Sequence, residues 1–147
     1  MDTLIFDLDG TIVDLFHVKH WLKDLRAEST SPYEKAKPIY NMNELNELIQ
    51  ELKQKYKIIV VTWTSKGGSK EYNKEVKKAK KEWLEKYDFP FDEIHCIKYG
   101  TTKANAVRKY GTNQILFDDN KKVRTGWKLG KTVNAKENIL PILKELI

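Results

Sequence analysis

One cysteine, Cys96, stands in 147 residues. That count excludes an internal disulfide and the stapled scaffolds of small secreted domains. Set between His95 and Ile97, the thiol reads as a buried strand residue in a reducing, cytoplasmic setting. No apolar run approaches the roughly 20 residues of a membrane span, so no membrane association is expected. Strand-like sequence already begins at Thr3, which argues against a secretory leader. Internal repeats, low-complexity segments and convincing linkers are missing too, and the chain reads as one domain. Acidic residues are outnumbered, 21 against 27 Lys and Arg, for a formal charge of +6. Such an excess leans toward a phosphate-bearing or polyanionic partner.

What is present is a globular profile, 40% hydrophobic and 33% charged. A chain of this length buries roughly two-thirds of its unfolded surface. Strands are expected at Thr3–Phe6, Lys57–Thr62, Glu93–Ile97, Gln114–Phe117 and Lys131–Val133. The second, with Ile58-Ile59-Val60-Val61, has no alternation, so both its faces should be covered. Helical stripes lie between strands: Met42, Leu45, Leu48, Leu52 and Tyr56 form one, and Asn41 with Glu44 resembles a capping box. Tyr72, Val76, Ala79, Trp83 and Tyr87 form another, with Lys77, Lys78, Lys80 and Lys81 read as its solvated basic face. A helix is expected over Lys103–Tyr110, stopped by Gly111. Another is expected from Ile139 to Ile147, with Pro141 tolerable in its first turn. Ala27–Ile39 is the least regular stretch and reads as a loop or small flap. Alternating strands and helices imply an α/β fold with a doubly wound parallel sheet. In such sheets ligands bind beyond the carboxyl ends of the strands.

The chemistry-bearing residues gather at those strand ends. Asp7-Leu8-Asp9-Gly10-Thr11 follows the apolar run Leu4-Ile5-Phe6, and Asp118-Asp119 follows Ile115-Leu116-Phe117. Like charges about 4 Å apart repel by about 4 kcal/mol at an effective dielectric near 20. Such carboxylates need a cation, a shared proton or open water; two acidic strand ends in one small domain read best as a Mg²⁺ site, which oxygen-only ligands suit. In this reading Asp7 is the nucleophile that attacks phosphorus, and Asp9 the acid and base for leaving group and water. Mg²⁺ is assigned to Asp7, Asp9 through its backbone carbonyl, and a carboxylate of the Asp118-Asp119 pair. Thr62, ending the second strand, offers a hydroxyl and, with Trp63, phosphate contacts. Lys103, at an expected helix start, supplies positive charge. Each piece has a plainer explanation as a turn cap, a strand terminus or a solvent-facing lysine. Their order along the chain carries the argument.

That order resembles the four-motif signature of the haloacid dehalogenase superfamily over nearly the whole chain. Asp7 and Asp9 match its first motif, Thr62 the second, Lys103 the third and Asp118-Asp119 the fourth, with Lys98 a rival for the third. The resemblance implies a Rossmann-like three-layer sandwich, residues 1–147 as one phosphatase domain, and no cap or a minimal one, with a small flap at 14–40. It implies a Mg²⁺-dependent phosphomonoesterase working through an aspartyl-phosphate. Shorter stretches are similar to small phage-type 5′-deoxyribonucleotidases and to the phosphatase domain of polynucleotide kinase-phosphatases. The expected substrate is accordingly a small phosphorylated molecule, a (deoxy)nucleotide above all, with a nucleic-acid end (a polynucleotide 3′-phosphate) as the alternative. Trp63, Tyr33, Trp21, His17 and His20 are candidates to contact base or phosphate. Arg124 and Trp127 are expected to pack around the metal site. A catalytically inactive phosphate- or nucleotide-binding module is the alternative of another class. Oligomeric state stays open.

Overall fold

All five expected strands form and join one sheet in the computed structural model, which describes residues 2–147. In chain order the elements are β1 (Asp2–Phe6), β2 (Val13–Asp14), α1 (Trp21–Arg26), α2 (Ser31–Lys35), β3 (Lys37–Pro38), α3 (Met42–Leu52), β4 (Tyr56–Trp63), α4 (Lys70–Lys86), β5 (Glu93–Ile97), β6 (Gln114–Asp118), α5 (Lys121–Gly126), β7 (Gly130–Asn134) and α6 (Leu140–Leu146). Short 3-10 turns occupy Leu15–His17, Lys103–Ala106 and Arg108–Tyr110. The sheet order is β5-β4-β1-β6-β7, and every pair is parallel. From β1 the chain winds outward through β4 to β5, then returns to β6 on the opposite side of β1. The carboxyl ends of β1 and β6 thus form the switch point where such sheets open a crevice.

Register explains why β1 and β4 show no alternation of character. Leu4, Phe6, Ile58 and Val60 face one core; Ile5, Ile59 and Val61 face the other. All seven are fully buried, each worth roughly 1.5–3 kcal/mol in transfer from water. The first core is thick, with Leu45, Ile49 and Leu52 of α3, Trp83 and Leu84 of α4, and Leu143 of α6. Asn41 caps α3 by accepting the Glu44 N–H at 3.1 Å, and Ser69 caps α4 through the Tyr72 N–H.

The second face is thinner than expected. Lys103–Tyr110 is two 3-10 turns rather than one helix, broken at Val107 with φ −128°. The Gln114 side chain explains the break. Its Nε2 donates to the carbonyls of Val107 and Gly111, at 2.8 and 2.9 Å, holding both in place at the foot of β6. With eight residues and a β-branched Val107 packed on the sheet, an α-helix has little to offer in return.

The stretch read as a flap is also more ordered than a loop. It holds α1, α2 and the two-residue antiparallel pair β2–β3. Tyr33 and Ala36 are buried, and three anchors tie the segment to α4. Trp83 Nε1 donates to the Ala36 carbonyl at 2.8 Å, and Tyr72 OH donates to the Ser29 carbonyl at 2.6 Å. Glu28 accepts both the N–H and the hydroxyl of Ser69. Its large exposed hydrophobics are Phe16 and Leu22 at the outer tip and Ile39 at its end. Among the described residues, no helix is long and apolar enough to cross a membrane.

Candidate active site

The pairing of Phe6 with Phe117 brings the first two acidic side chains together. Asp7 follows directly, and its N–H donates to the Phe117 carbonyl at 2.9 Å. The two Phe rings stack beneath them at 4.7 Å. Beyond Asp7 the chain turns tightly: the Leu8 carbonyl accepts N–H bonds from Thr11, Ile12 and Val13. Buried Leu8 and Ile12 pin that turn to the core. Gly10 has φ +84°, a conformation that costs a side-chain-bearing residue roughly 1 kcal/mol or more.

One carboxylate oxygen each from Asp7, Asp118 and Asp119 lies within 4.8 Å of the others. Lys103 is buried between two of them, its Nζ 2.8 Å from Asp7 Oδ1 and 2.9 Å from Asp118 Oδ2. Thr11 donates to Asp7 Oδ2, and the Asn120 N–H donates to Asp118 Oδ1. Burial alone would push the Lys103 ammonium down, but Asp7 and Asp118 outweigh it and hold it above its ordinary value. Burial, then the Asp7 charge, push Asp118 up to about 6 and Asp119 up to about 8. The rival Lys98 is exposed, away from these carboxylates.

Asp9 takes a different direction. Its carboxylate is not part of the acidic cluster; Oδ2 accepts from Lys80 Nζ at 2.9 Å. The Asp9 carboxylate is thus outside the group that could hold a metal, against the expectation that placed Asp9 among the ligands, and only its backbone carbonyl would be left for that role. Lys80, read from the sequence as part of a solvated basic face, is 2% exposed. Its ammonium also donates to Thr62 Oγ1 at 2.8 Å and to the Trp63 carbonyl at 2.7 Å. Lys77, Lys78 and Lys81 do face solvent. The signal was in the spacing: Lys80 lies four residues after Val76 and three before Trp83, inside the apolar stripe rather than beside it.

Four carboxylates (Asp7, Asp9, Asp118, Asp119) thus meet two ammonium groups (Lys80, Lys103) at one sheet edge. With all four ionised, two negative charges would be left uncompensated; that surplus and the oxygen-only donor set fit a hard divalent cation. Above them opens a cleft of about 560 Å³. Trp63 and Tyr99 pack together on its wall with ring centroids 5.0 Å apart, and Phe16 and Trp21 contribute from the flap. Trp63 Nε1 donates to the Thr101 carbonyl, and Lys103 Nζ sits 5.0 Å from the Trp63 ring centre. Arg26, Lys66, Lys121 and Lys136 add positive charge to the cleft lining, where Tyr33 also sits.

The other candidates divide. His17 and His20 do not line the cleft; His17 pairs with Asp14 at 2.6 Å. Trp127 is buried in the second core, and Arg124 Nη1 donates to the Asp118 carbonyl at 3.0 Å, bracing the acidic strand end. A scan against family models finds none that matches this chain, and a search of curated proteins finds no similar one.

Proposed function

We propose that this protein is a Mg²⁺-dependent phosphomonoesterase of the haloacid dehalogenase type. The observation that carries this reading is the convergence of Asp7, Asp118 and Asp119 within 4.8 Å, with Lys103 bridging Asp7 and Asp118. The cation would be held by these carboxylates and the Asp9 carbonyl, and when bound it supplies neutralisation of phosphoryl oxygen charge. Asp7, fixed by Lys103 and Thr11, forms a bond to phosphorus while the ester P–O bond breaks. Asp9, entering the cycle with a proton on the oxygen that Lys80 leaves free, delivers it to the departing oxygen. Water then attacks the aspartyl-phosphate and gives its proton to Asp9. The Asp7–phosphorus link breaks, phosphate leaves, and both carboxylates return to their starting state. Lys103 and the Thr62 hydroxyl stabilise oxygen charge throughout.

A nucleotide is the substrate that the cleft favours. Its volume falls in the usual range for small-ligand sites, and Trp63, Tyr99, Phe16 and Trp21 present aromatic surface beside the phosphate end. Phosphate release from a panel of nucleotides, sugar phosphates and oligonucleotides tests this. Mg²⁺-dependent turnover of nucleotides, abolished by Asp7→Asn with phosphate binding retained, is the expected result; wild-type-like turnover in that variant would falsify covalent catalysis. A nucleic-acid end is the second reading, favoured by the cations Arg26, Lys66, Lys121 and Lys136 around the mouth. It requires oligomers to outcompete mononucleotides, with a steep loss of affinity as salt rises.

A further inference from the structure

Lys80 is one of the few charged side chains lost from solvent, and no motif accounts for it. An ammonium has three N–H donors and no acceptor. All three are committed: to Asp9 Oδ2, to Thr62 Oγ1 and to the Trp63 carbonyl. Two consequences follow from that geometry. Because Thr62 Oγ1 accepts from Lys80, its own hydrogen is left to donate into the cleft that Thr62 lines. Because Lys80 holds Oδ2 of Asp9, the carboxylate is turned out of the acidic cluster. Its other oxygen makes no hydrogen bond among the described residues.

We propose that Lys80 is a positioning residue that sets Thr62 as an oxyanion donor and fixes Asp9 with one oxygen presented to the leaving-group side. This rests on the phosphatase reading and adds a residue to it. One side chain on α4 thereby couples the group that binds phosphoryl oxygen to the group that moves the proton. Removing a preorganised donor of this kind costs on the order of 10²-fold in turnover. Tyr33, whose ring centre lies 5.1 Å from Lys80 Nζ, shields the ammonium on the flap side.

The test compares wild type with Lys80→Met and Lys80→Ala, the latter with and without propylamine. Readouts are kcat and KM for a phosphomonoester, and tungstate binding by calorimetry in Mg²⁺. Expected are a drop in kcat of about 10²-fold, tungstate affinity about tenfold weaker, and partial recovery of Lys80→Ala by the amine, which a purely structural lysine would not give. Unchanged kcat and tungstate affinity in folded variants overturn the proposal and leave the phosphatase reading intact. Tungstate binding that depends on Lys80 without wild-type turnover supports the setting of Thr62 as a donor, and overturns the phosphatase reading together with the role given to Asp9. Neither binding nor turnover in wild type overturns both. Should the variants not fold, ¹⁵N-lysine labelling of the wild type decides. Tungstate must then shift the solvent-protected ammonium signals of both buried lysines, Lys80 and Lys103; one left unmoved contradicts the proposal.

Discussion

Asp119 Oδ2 occupies the space beside Gly10 so closely that a Cβ there would lie 2.2 Å from it. The glycine of the first acidic turn is thus shaped around a carboxylate more than a hundred residues later. A side chain at this position meets both a left-handed backbone and a carboxylate that would have to move.

Gly10→Ala should therefore displace Asp119 while leaving the sheet in place. The expected stability loss is about 1–3 kcal/mol from backbone strain alone, measured by urea unfolding. Mg²⁺ affinity should fall at least tenfold by calorimetry. An alanine variant with wild-type metal affinity would show that Asp119 takes no part in holding the ion.

Asp119→Asn tests the crowding of charge. A carboxylate held up near 8 in the fold, against about 3.9 in the unfolded chain, keeps a proton that the unfolded chain has released. Stability of the metal-free wild type must then fall as pH rises from about 4 to about 8. The Asn variant should lack that part of the decline, with a higher melting temperature than wild type at pH 8. Mg²⁺ should raise the wild-type melting temperature and move the variant little. Parallel melting curves across this pH range would refute the account.

Tyr99 lies on the cleft wall, 44% exposed and packed on Trp63. Stacking of a base on an aromatic ring is worth about 1–3 kcal/mol. Tyr99→Ala should raise KM for nucleotides roughly tenfold and leave glycerol phosphate unaffected. An equal effect on both substrates would place the ring outside base recognition.

Gln114 joins the carbonyls of Val107 and Gly111, and so sets the path of the chain that delivers Lys103. Gln114→Leu fits the same space without donors, so two hydrogen bonds are lost: the Val107 carbonyl keeps only the Tyr110 N–H, and the Gly111 carbonyl keeps no bond among the described residues. The expected cost is about 2 kcal/mol in unfolding free energy, with activity reduced because Lys103 shifts. Full activity in the variant would mean that Lys103 is placed by its own ion pairs.

The positions of β1, β4 and β6 were legible because each is a compact apolar run leading to an acid or a threonine. Their ends, Asp7, Thr62 and Asp118, followed from the rule that such sheets bind at the carboxyl edge. Lys103 was legible from its place before the fourth strand, although the helix expected to carry it is a pair of tight turns. That difference depends on Gln114, whose reach to two carbonyls no local pattern announces. Lys80 was hidden among four lysines in five residues. Composition described that segment as a wet face, whereas position within the stripe placed one member inside. The order of the segment before α3 was hidden for a different reason. Tyr33 and Ala36 gain burial only against α4, which lies far along the chain.

The helix that buries Lys80 also receives the anchors at Ala36, Ser29 and Glu28. Roof and floor of the cleft are therefore tied to the same helix. The outer tip around Phe16 and Leu22 carries none of these ties. On the proposed reading, a bulky substrate would enter from that side, with its far end trailing into solvent.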